Sequence, residues 1–141
     1  SFIIKLMNDA ETIIQNLKLK PHPEGGYFAE CLRTNDLSII YYLLKKNEKS
    51  HWHRLTKNET LHFYNGDPLV IYFSKDGDEY KSITIGKKNN YNTTIKSGTW
   101  FAMKSLGEYS LIGCTVAPPF DYSDFELAPN NWKPKKFNEA L

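Results

Sequence analysis

The chain has 141 residues and a mass of 16.4 kDa, with 40% hydrophobic and 24% charged residues. That is enough apolar surface for one core and too much for an intrinsically disordered chain. The net charge of +2 makes no case for DNA, RNA or an anionic membrane surface as a partner. The longest apolar run, 39–44, is interrupted by two tyrosines and is far too short to cross a bilayer as a helix.

The N-terminal stretch 1–7 is too short and too poorly flanked for a secretory signal. Lysine outnumbers arginine 16 to 2, so Arg33 and Arg54 stand out as positions where a planar fork is kept. Cys31 and Cys114 lie far apart and have neither CxxC nor zinc spacing. They read as small buried thiols in a reducing, cytoplasmic setting.

In chain order, the opening segment reads as one helix. Asn8 supplies a cap, Glu11 completes a capping-box spacing, and Leu6, Ala10, Ile13, Ile14 and Leu17 fall on one face. The segment 20–26, with two prolines and two glycines, ends it. Short strands follow at 27–33, 39–45, 51–55, 59–64, 69–74, 80–85, 91–96, 100–104 and 109–116. Turn signals such as Asn65-Gly66-Asp67, Asp76-Gly77-Asp78 and Asn89-Asn90 separate them. Strand starts recur about every 8–12 residues without intervening helices, which points to an all-β sandwich or barrel. A short helix is expected at 121–128. The tail 129–141 is expected to lie on the surface or fray.

The chemistry concentrates in the first half. His51 and His53 are two apart, so on a strand they share one face. Glu59 follows across a loop, 54–58, long enough to reverse the chain and return it beside the two imidazoles. Two readings fit this spacing. His51, His53 and Glu59 could form a metal triad with open positions, the case for a divalent cation as cofactor. Alternatively, Glu59 orients His53 as a general base without metal. His62 points away from Glu59 on its strand and stays outside the site. A second candidate site is the rigid loop from Pro21 to Tyr27, with Glu24 at its centre. Arg33 shares strand parity with Tyr27 and could meet Glu24 or an anionic ligand group. Aromatic residues in predicted strands, among them Tyr41, Tyr42, Phe63, Trp100 and Phe101, are mostly core. One or two of them are expected to line a pocket.

His51-Trp52-His53, Glu59 and Gly66 resemble the first motif of the cupin superfamily. Further ordered motifs narrow the resemblance to the small cupin-5 family, long described as a domain of unknown function. They are Pro21-His22-Pro23-Glu24-Gly25-Gly26-Tyr27-Phe28, Gly66-Asp67-Pro68-Leu69, Gly98-Thr99-Trp100-Phe101, Gly113-Cys114-Thr115-Val116-Ala117-Pro118 and Phe125-Glu126-Leu127. The resemblance covers residues 18–128. It implies a double-stranded β-helix, the cupin jelly-roll barrel, with a central ligand pocket, and it implies a homodimer. One domain is expected, with a short N-terminal helix region at 1–19, a jelly roll at 20–128 and a surface tail at 129–141.

The second cupin motif departs from its pattern. Phe101 stands where the fourth metal-binding histidine would be, so at most a three-ligand centre of His51, His53 and Glu59 remains. The functional expectation is a small-molecule-binding cupin, with Glu24, Arg33, His51, Tyr41, Phe63, Trp100 and Phe101 as ligand contacts. As an enzyme it would be epimerase- or isomerase-like. His53 would act as base, Glu59 would orient it, and Tyr42 (or Tyr41) would act as acid on a sugar-like or other polar metabolite. A non-enzymatic binding module and a metal-dependent isomerase or dioxygenase are the alternatives.

Overall fold

The computed structural model describes residues 8–141, so Leu6 of the expected helix face lies outside the described residues. The helix α1 spans Asp9–Asn16, and the side chain of its cap Asn8 accepts the Glu11 amide at 2.8 Å. Its apolar face, Ala10, Ile13, Ile14 and Leu17, packs against Leu19, Leu43, Tyr109 and Leu111.

The strands are β1 (Lys20–Pro21), β2 (Tyr27–Arg33), β3 (Ser38–Lys45), β4 (Lys49–Leu55), β5 (Glu59–Gly66), β6 (Leu69–Ser74), β7 (Lys81–Ile85), β8 (Asn92–Ile95), β9 (Trp100–Ser105), β10 (Tyr109–Val116) and β11 (Phe125–Leu127). They form two antiparallel sheets. One has six strands in the order β1-β2-β3-β10-β5-β8 and the other five in the order β11-β4-β9-β6-β7. This is the all-β jelly roll expected from the strand spacing and the motifs. The inner faces meet in one core that includes Tyr42, Leu44, Leu61, Phe63, Ile71, Phe101 and Met103. No helix of the described residues is long and apolar enough to cross a membrane.

Two local expectations are corrected, and the tail takes the first of its two expected forms, lying on the surface. The segment 121–128 is not a helix. It makes a single 3-10 turn, Tyr122–Asp124, and then pairs as β11 with β4. Leu55, Arg54 and His53 supply the antiparallel partners that a three-residue segment cannot find within itself. The tail does not fray. Phe137 and Trp132 pack on Trp52, and Phe137 also meets Tyr72 and Tyr80, so the tail covers the outer face of the five-stranded sheet. Finally, β4 is not a regular strand. Ser50 pairs with Met103 and His53 with Phe101, so three steps on β4 match two on β9. That β-bulge reverses the inside–outside alternation part-way along the strand.

Candidate functional site

The bulge decides which side chains of β4 face the barrel. Ser50 and His53, three apart, both point inward and are buried, at 0% and 1% exposure. Trp52 faces the tail cluster instead. The His51 ring lies at the outer side, where its Nε2 donates to the Pro129 carbonyl at 2.9 Å. The shared face expected for His51 and His53 therefore does not form, because the period-2 count fails across a bulge.

His53 is held at both nitrogens. Nδ1 donates to the His51 carbonyl at 2.7 Å and Nε2 to Glu24 Oε2 at 3.0 Å. The partner that orients His53 is thus Glu24 and not Glu59. Glu24 reaches it from the loop before β2, which the Glu24 carbonyl ties to β4 by accepting the His51 amide at 2.8 Å. The same carboxylate accepts the Ser50 hydroxyl. Burial works against both charges, but each partner outweighs it: the Glu24 carboxyl is held below its ordinary range and the His53 imidazole above its own. His22 behaves differently. Burial lowers its pKa, and its Nδ1 accepts the Glu24 amide at 3.1 Å. A nitrogen that accepts carries no proton, so the 3.3 Å approach of Glu24 Oε1 to the same atom is a contact and not an ion pair.

In front of this buried pair lies a cavity of about 310 Å³ between the sheets at one end of the barrel. Its floor carries Glu24, Glu59, His22 and Cys114, and its walls are Phe28, Ile40, Leu55, Val116 and Phe125. Phe120, Asp121 and Tyr122 form the rim beside Glu30 and Arg33. The rim is stapled down. The Phe120 amide donates to Ser38 Oγ at 2.8 Å, and Arg33 Nη2 donates to the Phe120 carbonyl at 2.8 Å. Lys57 donates to the Pro119 carbonyl at 2.8 Å and pairs with Asp124 at 2.7 Å.

Glu59, at the start of β5, is the exceptional group. It is 8% exposed, it lines the cavity, and its Oε1 is buried with no hydrogen-bond partner among the described residues. Burial raises its pKa to about 7, with His53 and the Cys114 thiol beside the carboxyl pulling it down and Glu24 adding to the rise. The neighbouring Cys114 thiol is pushed well above its ordinary value by burial and then by Glu59.

Of the residues singled out in the sequence, Glu24, Glu59 and Arg33 border the cavity, and His53 stands directly behind Glu24. The others are elsewhere. Tyr42 is buried and spends its hydroxyl proton on the Gly25 carbonyl, and burial holds its pKa far above 10. It therefore cannot serve as the acid in the cavity. Tyr41 points to the outer face of its sheet, against Tyr64 at 6.0 Å. Phe63 is core. Trp100 packs outside, on Trp132 and under Arg54. Phe101 sits 4.1 Å from the His53 ring as apolar support. His22, Cys114 and the rim aromatics are the additions. His22 was visible in the Pro21–Tyr27 motif, and Cys114 in the motif that follows Gly113.

The three-ligand metal centre does not assemble. His51 is turned outward, both nitrogens of His53 are occupied, and Phe101 fills the flank where a further ligand would approach. Among the described residues, no group of three or more His, Cys, Asp or Glu side chains is placed to hold a metal ion.

Two facing antiparallel sheets that enclose a cavity at one end define a cupin-type barrel. The family described as Cupin superfamily (DUF985), Cupin_5, matches residues 11–128, and the chain belongs to it. Among solved structures, a hypothetical protein from Leishmania major is 30% identical, with a TM-score of 0.81 over 89% of this chain and 90% of that one. A protein from Shewanella oneidensis is 32% identical, with a TM-score of 0.82 over 86% and 85%. The capsular polysaccharide assembling protein CapF from Staphylococcus aureus shares the fold at 20% identity and a TM-score of 0.65, over 77% of this chain and 33% of its own. No curated protein matches.

Proposed function

We propose that the cavity between the sheets is the binding site for a small organic molecule and that Glu59 is the group that meets it. The observation that carries this reading is the unpartnered Oε1 of Glu59 at the cavity floor. A buried acceptor without a partner costs a fold about 1–3 kcal/mol. A ligand that brings a donor to that oxygen recovers it. The volume, about 310 Å³, lies at the small end of the range for small-molecule sites, about 300–1,000 Å³. The walls are hydrocarbon and aromatic, which suits a compact molecule with an apolar body better than a polyhydroxylated sugar. The test is ligand-observed NMR with a fragment library on the unsubstituted protein and on Ile40→Phe, which narrows the cavity from β3. Fragments should bind one site and lose binding in I40F. A library without hits, or hits indifferent to I40F, would remove the reading.

A second reading, proton transfer in an isomerase- or epimerase-like reaction, is favoured by the Glu59 pKa of about 7. A carboxyl poised near the working pH can both take and return a proton. Glu59 replaces His53 as the base here, because His53 is sealed behind Glu24 and holds its charge for that partner. If a substrate is turned over, Glu59→Gln should lower kcat by about 10²–10⁴-fold. Unchanged turnover would leave binding alone.

A further inference from the structure

The charges around the cavity limit what can occupy it. Glu24, Glu30, Glu59 and Asp121 border it, whereas Arg33 is the one lysine or arginine among its described lining residues. The Arg33 fork is already engaged. Nε and Nη2 donate to the two oxygens of Glu30 at 3.0 and 2.9 Å, and Nη2 also donates to the Phe120 carbonyl. The imidazolium of His53 is spent on Glu24 and on the His51 carbonyl. Once these pairs are matched, Glu59 and Asp121 remain as acids with no ion pair of their own among the described residues, and Glu59 is the one more than nine-tenths buried with an unpartnered oxygen. An incoming carboxylate or phosphate would find no unpaired cation among the described lining residues and several acids.

The walls add a second, independent preference. Phe120, Tyr122 and Phe125 form an edge-to-face cluster at the mouth, with ring centres 5.0, 6.2 and 6.3 Å apart, and Phe28 lies deeper. Aromatic faces attract cations through their quadrupole, most strongly where water is excluded. A neutral alcohol could donate one hydrogen bond to Glu59 but would gain nothing from the acidic excess or the rings.

Resting on the small-molecule reading above, we infer that the ligand of this cavity is a small organic cation, an ammonium group on an apolar body, which donates to Glu59 Oε1 and is flanked by the mouth aromatics. The ammonium supplies both the missing donor and the missing counter-charge in one group.

Three probes of nearly equal size separate the possibilities: benzylamine, benzyl alcohol and benzoate, titrated into the unsubstituted protein and into Glu59→Gln by calorimetry or ligand-observed NMR. Benzylamine should bind at least about tenfold more tightly than benzyl alcohol, the fold-change for a hydrogen bond between charged groups in a desolvated site, and benzoate should bind weakest. In E59Q the advantage of the amine should vanish, whereas the alcohol should change by less than about twofold. If the alcohol or benzoate binds as tightly as the amine or more so, the cation is refuted and the small-molecule site stands. If none of the three binds, both readings fall. The three-probe comparison on the unsubstituted protein decides the matter even if E59Q fails to fold.

Discussion

Glu59 makes the fold's stability depend on pH in a direction opposite to an ordinary carboxylate. Its pKa is about 7 in the folded chain against an ordinary 4.5, so between those values the folded state holds a proton that the unfolded state has released. Stability therefore falls as pH rises through that window, by about 3 kcal/mol in all. Glu59→Gln keeps the shape without the charge. By urea denaturation it should be about 2–3 kcal/mol more stable than the unsubstituted protein near pH 8, with the gain fading towards pH 4.5. A Gln variant no more stable at about pH 8 would mean that Glu59 already has a counter-charge. Within the Glu24–His53 pair only Glu24 runs the other way; His53 shares the direction of Glu59. The Glu24 contribution is present above the ordinary 4.5 and is lost as pH falls, and the His53 contribution is complete below the ordinary 6.5 and is lost as pH rises through its higher folded value. Glu24→Gln removes the carboxylate that holds the His53 proton and should cost about 3–5 kcal/mol, most strongly between those two pH values, as read by thermal melts across the range. A uniform loss at every pH would count against the pair.

At the scale of elements, the loop 22–26 and strand β4 build the site together. Gly25 has φ +110°, and a Cβ there would lie 2.1 Å from the Lys49 carbonyl oxygen. Gly25→Ala must therefore push the loop off β4 and carry Glu24 away from His53. The expected loss is about 3 kcal/mol or more in denaturant, with the His53 imidazole pKa falling in an NMR titration. A variant of native stability would show that the loop is not pinned. Most of the strands were legible because turn signals bracket each apolar run, and β2, β6 and β10 match their expected limits. The β4 bulge was not legible, since counting parity assumes an unbroken ladder and no residue type announces the extra position. The Glu24–His53 partnership was equally hidden, because it joins a loop to a distant strand, and loop positions follow from tertiary packing. Segment β11 was misread for a related reason: Phe125–Leu127 is too short to show a period, and its pairing with β4 decides its conformation. Glu59 is legible in its hairpin spacing from His53, but its part in the site is not, because His53 is taken by Glu24.

At the scale of the molecule, the two outer faces are covered unequally. The tail seals the outside of the five-stranded sheet with Trp132 and Phe137. On the six-stranded sheet, α1 covers the end that holds Leu43, Tyr109 and Leu111. The other end presents Tyr64, 47% exposed and laid against Gly113, and Leu32, 45% exposed on β2. These two are large side chains of this face that remain exposed in the single chain. A second copy of the chain is the occupant that the resemblance to cupin-5 proteins implies. Light scattering at micromolar concentration should then read twice the 16.4 kDa chain mass. Tyr64→Asp places a charge on this face while leaving the core and the cavity untouched, because Tyr64 lies outside both. It should shift the particle to the single-chain mass at an unchanged melting temperature of the isolated chain, and benzylamine binding should persist. A single-chain mass for the unsubstituted protein would end the dimer expectation. A dimer indifferent to Y64D would move the contact to a sheet edge, where β7 or β8 offers the unpaired backbone groups.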